Sequence, residues 1–171
     1  MRSSKTGLSL VLVGLLFVAT SSWATTDAPE CMASGRALSI DNGQVLKWKE
    51  STPNQFLARA YVEGTVVTVY PDRNGHEHFA IRIGNEPTDM LEVVYNSEFG
   101  EMPTPTVGMK VEACGDYITS TAQTEAYPPS PVGAIIHWVH KSPSKHDSGF
   151  VMLDGVLYGY TFPQGSPKKG H

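Results

Sequence analysis

From residue 60 onward, apolar and polar positions mostly alternate with a period of two, the signature of half-buried strands. Residues 61–70 are rich in Val, Thr and Tyr, and Gly64 marks an expected bulge. Pro71-Asp72-Arg73-Asn74-Gly75 predicts a turn. Residues 76–83 alternate: Phe79, Ile81 and Ile83 point inward, while His76, His78, Ala80 and Arg82 point the other way. In residues 90–96, Leu91, Val93 and Tyr95 share one face, and Glu92, Val94 and Asn96 the other. A Pro-containing connection leads to a strand at 109–117. A polar, Pro-rich loop then leads to another strand at 132–140. Residues 150–153 and 156–160 flank Asp154-Gly155, a strong hairpin signal.

Before residue 60 the pattern is mixed. Apolar residues between 35 and 58 are broken by Asp41-Asn42-Gly43 and Thr52-Pro53-Asn54, and one short helix is expected there. The fold class is therefore mainly β. Short strands with turn signals between them, a Gly-bearing first strand, a hairpin and a Pro-rich connection predict a small OB-like Greek-key barrel. A short helical or irregular lead-in precedes it.

The N-terminus changes the picture of length and charge. Arg2 and Lys5 precede an apolar run, and Ser22-Trp23-Ala24 is a small-x-small cleavage pattern, so residues 1–24 read as a secretory signal peptide. Its removal takes both basic residues and moves the net charge from −4 to −6. The expected organisation is signal peptide 1–24, lead-in 25–59, OB-like domain 60–162 and polar tail 163–171. Periplasmic or secreted localisation is expected, with no transmembrane span in the mature chain. The acidic balance does not favour nucleic acid as a partner.

Export also bears on Cys31 and Cys114, since a lone pair in an oxidising compartment tends to bridge. Met109, Val111, Ala113 and Tyr117 share the inward face of their strand, so Cys114 points the other way. A Cys31–Cys114 disulfide would tie the lead-in to the outside of a sheet.

The candidate chemistry is in the histidines. Five of the six fall in two clusters: His76 and His78, then His137, His140 and His146. His76, His78, Arg82 and Asn96 share outward strand faces and form a candidate ligand-binding platform for a polar or anionic molecule. His76, His137, His140 and His146 are candidates for acid–base catalysis. His140, His146 and Asp147 are candidate metal ligands, and a divalent ion such as zinc is a conceivable cofactor. On a regular strand His137 and His140 face opposite ways, and they share an ion only if the strand ends or bulges between them. Gly-x-Ser-x-Gly, His-Glu-x-x-His and Cys-x-x-Cys motifs are absent. Three functions remain open. The first is an exported binding domain for an oligosaccharide, nucleotide, nucleic acid or envelope component. The second is a metal-assisted hydrolase, acting for instance on phosphodiesters. The third is an envelope or host-facing interaction protein with structural histidines.

Several of these residues form recognisable strings: Gly64-x-Val66, Asn74-Gly75-His76-x-x-Phe79, Tyr95-Asn96, Gly115-Asp116-Tyr117, and His137-Trp138-x-His140-x-x-Pro143-x-x-His146-x-x-Gly149. Over roughly residues 60–160 they resemble a family of small exported bacterial proteins classed as a domain of unknown function. The resemblance implies no reaction. It does imply that His76, Asn96, His137, His140 and His146 belong to shared motifs. Tyr95 stands where that family usually has His, and Lys141-Ser142 where it usually has His-Asp.

Overall fold

The structure is a computed structural model, and it describes residues 27–142 and 146–161. The expected signal peptide, residues 1–24, and the tail from residue 163 lie outside the described residues. A short hairpin, β1 (Met32–Ala33) and β2 (Arg36–Ala37), leads into helix α1 (Asn42–Ser51). Asp41 caps the helix by accepting a hydrogen bond from the Gln44 amide at 2.8 Å. Then follow β3 (Leu57–Arg73), β4 (His76–Arg82), β5 (Met90–Asn96) and a 3₁₀ turn (Ser97–Phe99). β6 (Lys110–Thr119), β7 (Ala134–His137), β8 (Phe150–Leu153) and β9 (Val156–Tyr158) complete the order.

The molecule is mainly β. One seven-stranded sheet has the order β3-β4-β5-β7-β6-β8-β9, and β3 also pairs with β6. Each of the five strands β3, β4, β5, β7 and β6 thus pairs with two others of the five. Only β5–β7 is parallel among these pairs. β6 divides one edge between two neighbours. Val111–Cys114 pair with β8, and Asp116–Thr119 pair with β7. The chain between β7 and β8 must therefore leave and rejoin the sheet at the same place.

The inward faces follow the alternation. Phe79, Ile81, Leu91, Val93, Tyr95, Ala113, Tyr117 and Ile136 are fully buried in one core. α1 adds Val45 to it, with Trp48 packed alongside. The outward faces are not simply solvated, because Ala80, Glu92 and Val94 are also buried.

Two local expectations are corrected. Gly64 is not a bulge: it pairs regularly with Val111, and the register shifts lie at Val66/Thr68 and Tyr70/Arg73. A Cβ at Gly64 would strike the Arg82 carbonyl, so the glycine is needed for close approach of β4. The turn also shortens to Asn74-Gly75, both at positive φ (52° and 75°), as a two-residue hairpin of this hand requires.

Cys31 and Cys114 form a disulfide, with Cα atoms 5.6 Å apart. Cys114 lies on the outer face of β6, as its parity predicts, yet it is completely buried. Cys31, Phe150 and Met152 cover it in a second small core, flanked by Ala28, Leu38, Tyr61, Leu157 and Tyr160. Among the described residues no helix is long and apolar enough to cross a membrane.

Candidate functional site

β7 is shorter than its sequence pattern predicts. It stops at His137 because Trp138 takes φ 49°, a left-handed backbone unusual for a bulky residue. Such a conformation costs on the order of 1–3 kcal/mol and persists only where its surroundings enforce it. Here three glycines make room. A Cβ at Gly115 would meet the His137 carbonyl, one at Gly149 the Cys114 and Trp138 carbonyls, and one at Gly159 the Val139 carbonyl. The Gly149 amide closes the following loop by donating to the His140 carbonyl at 2.8 Å.

Gly149→Ala should therefore act on the loop neck. Its methyl meets two backbone carbonyls that cannot both withdraw. Overpacking of this kind costs about 1–3 kcal/mol. The expected result is a lowered urea midpoint, and an unchanged midpoint would show that the neck opens freely.

The left-handed residue defeats the strict strand parity and gathers the rings. His76 and His137 have ring centres 5.7 Å apart, and His137 stacks on Trp138 at 4.8 Å. Trp138 stands 5.9 Å from His146, His146 stands 5.2 Å from His140, and His140 stacks on Phe99 at 3.6 Å. Six rings thus form a continuous row. It runs from the start of β4, across the end of β7, to the 3₁₀ turn.

Hydrogen bonds set the tautomers. His76 Nδ1 lies 3.0 Å from the Asn74 carbonyl, His140 Nδ1 3.1 Å from that of Lys141, and His146 Nδ1 2.9 Å from that of Asp147. A carbonyl only accepts, so each Nδ1 carries the proton and each neutral ring keeps an unprotonated Nε2. Burial is the main cause that pushes the His137 pKa down to about 4, reinforced by His76, His140, His78 and His146. Burial also lowers that of His140. At neutral pH these two rings are uncharged.

His78 is held differently. Its Nδ1 sits 2.8 Å from Oε1 of Glu92, whose side chain is only 4% exposed. Ser130 donates its hydroxyl to the other Glu92 oxygen at 2.6 Å. This is an imidazole oriented by a buried carboxylate, an arrangement suited to proton transfer. Sequence reading missed Glu92, Ser130 and Phe99. The available signal was parity, since Glu92 is a carboxylate on the same sheet face as His78.

The remaining candidates separate from the row. Arg82 is six positions from His76, roughly 20 Å along the strand. It lines a different cleft of about 490 Å³, together with Glu63, Thr65, Lys110 and Glu112. The Asn96 side chain accepts from the Glu98 amide at 3.0 Å and caps the 3₁₀ turn. Asp147 accepts from the Ser34 amide at 2.7 Å, which anchors the loop to the lead-in. Among the described residues no three His, Cys, Asp or Glu side chains are grouped to hold a metal ion.

No protein-family model, curated protein or solved structure matches the chain.

Proposed function

We propose that the protein is an exported binding domain on an OB-like five-stranded barrel, and that its ligand is a hydroxyl-rich molecule such as an envelope oligosaccharide. The strand order supports the architecture. The ladder β3-β4-β5-β7-β6 returns to β3 with one parallel step, the connectivity of a small Greek-key barrel. The ligand seat is the row His76, His137, Trp138, His140 and His146, rather than the strand face that includes Arg82.

One observation carries this reading. Three imidazoles in the row have Nδ1 committed to backbone carbonyls. Their remaining nitrogens are acceptors, which suit donor hydroxyls better than anions. Half-buried Trp138 supplies an apolar ring beside them, the mixture of apolar surface and a few fixed polar atoms that small-molecule sites use.

The test is calorimetry of the purified protein against soluble peptidoglycan and polysaccharide fragments. The expected result is saturable binding of at least one fragment, weakened about tenfold or more by Trp138→Ala, a loss of about 1.4 kcal/mol. Arg82→Ala should leave it unchanged. Sensitivity to Arg82 with indifference to Trp138, or no fragment bound at all, overturns the assignment.

A further inference from the structure

The ring row contains a pair with a further property. His140 and His146 have ring centres 5.2 Å apart and cross at 78°. Two imidazoles on one tetrahedral ion hold it about 2.0–2.1 Å from each Nε2, which places their ring centres roughly 5 Å apart. The observed ring-centre spacing of 5.2 Å matches this value.

The outer contacts agree. Both Nδ1–H groups donate to backbone carbonyls, of Lys141 at 3.1 Å and of Asp147 at 2.9 Å. Metal-ligating histidines typically make this second contact, which fixes the ring and leaves Nε2 as the donor atom. His140 is further immobilised by its 3.6 Å stack on Phe99. His146 is steadied by its own amide, which donates to the Ser142 hydroxyl at 3.1 Å. His76 and His137 form another ring pair. His140–His146 is the pair in which both Nδ1 atoms are committed to carbonyls.

We propose that His140 and His146 form a two-imidazole seat for a divalent transition-metal ion, with water completing the coordination. The Asp147 carboxylate is not part of it, because it is engaged by the Ser34 amide. The tetrahedral spacing fits Zn²⁺, while the general order of divalent affinities places Cu²⁺ above Ni²⁺ and Zn²⁺ at such nitrogens, so Cu²⁺ is the stronger-binding probe. This site goes beyond the oligosaccharide reading but draws on the same Nε2 atoms of His140 and His146, so a bound ion would remove two of that reading's three acceptors. It is tested without any saccharide, so the two outcomes are distinguishable.

The experiment titrates the full mature protein with Cu²⁺ and then with Zn²⁺. Binding is read by calorimetry and by electron paramagnetic resonance of the copper form. One Cu²⁺ per chain with imidazole nitrogen couplings is expected. His140→Gln and His146→Gln should each weaken it at least about tenfold, the lower end of what even outer contacts cost. His171→Gln removes the terminal histidine and should change nothing. Unaltered affinity in His146→Gln, or loss of binding in His171→Gln, overturns the proposal. His146 is only half-buried and its ring packs at the loop surface, so its variant decides the matter even if His140→Gln fails to fold.

Discussion

Replacing Cys31 and Cys114 together by alanine is expected to lower the unfolding free energy by about 4.5 kcal/mol. The bond joins residues 83 apart in sequence. In the chain-entropy model, a closed loop of that length removes about this much freedom from the unfolded chain. Domains of this size are stable by only about 5–15 kcal/mol, so the loss is a large share of the total. A packing effect adds to it. The bond holds the lead-in over Phe150 and Met152, and Ala28 and Leu38 lie in the same small cluster. The Ser34 amide also reaches Asp147 from this lead-in. Loosening it should therefore weaken the ring row as well as the fold. The measurement is the urea midpoint of the double variant against the native protein. A midpoint within error of the native one would show that the bond constrains nothing the fold depends on.

Acid should destabilise the fold through the ring row. Burial and four neighbouring imidazoles push the His137 pKa from 6.5 down to about 4. The unfolded chain therefore binds a proton at this residue at higher pH than the folded one. Stability from this group is complete above about pH 6.5 and is lost progressively as pH falls towards 4. Its full size is on the order of 3 kcal/mol. His140, also lowered by burial, acts in the same direction. Glu77 acts in the opposite one. Its pKa is raised to about 7 by burial and by Asp72, so its contribution falls as pH rises from 4.5. Glu77 is only half-buried, and solvent screening reduces its weight. Comparing the native protein with His137→Asn cancels the Glu77 contribution. Unfolding free energies from urea titrations at pH 7.5 and 4.5 should differ less in the variant, by up to about 3 kcal/mol. Equal pH dependence in the two proteins would refute the account.

Much of the strand pattern was legible because burial on one face writes a period of two into the sequence. Phe79, Ile81, Leu91, Val93 and Tyr95 are all inward and fully buried, as alternation predicts. The Asp154-Gly155 hairpin was equally readable, since positive φ at both positions (48° and 80°) restricts the choice of residue. The disulfide was expected from the cysteine count and from the reading of residues 1–24 as an export signal. Alternation also placed Cys114 on the outer face, but could not show that Cys31 and Phe150 would bury it there.

The site was legible only in part. The histidine clusters stood out by composition. Arg82 and Asn96 shared parity with His76 and His78, but parity says nothing about distance along a strand or about local capping. Arg82 consequently lines another cleft, and Asn96 caps a turn.

The sequence by itself determined the strand faces, the turns, the disulfide partners and the residue types available for chemistry, because these depend on local periodicity and composition. Only the tertiary structure decided how the histidines meet. The left-handed backbone at Trp138 reverses the parity between His137 and His140, and no side-chain pattern marks it. It is enforced by glycines 23 residues before and 11 and 21 residues after it, at Gly115, Gly149 and Gly159, each needed because another strand or loop backbone passes within contact distance. Close approach of backbones distant in sequence is a property of the packed chain. For that reason the ring row could not be read from the His-Trp-x-His spacing alone.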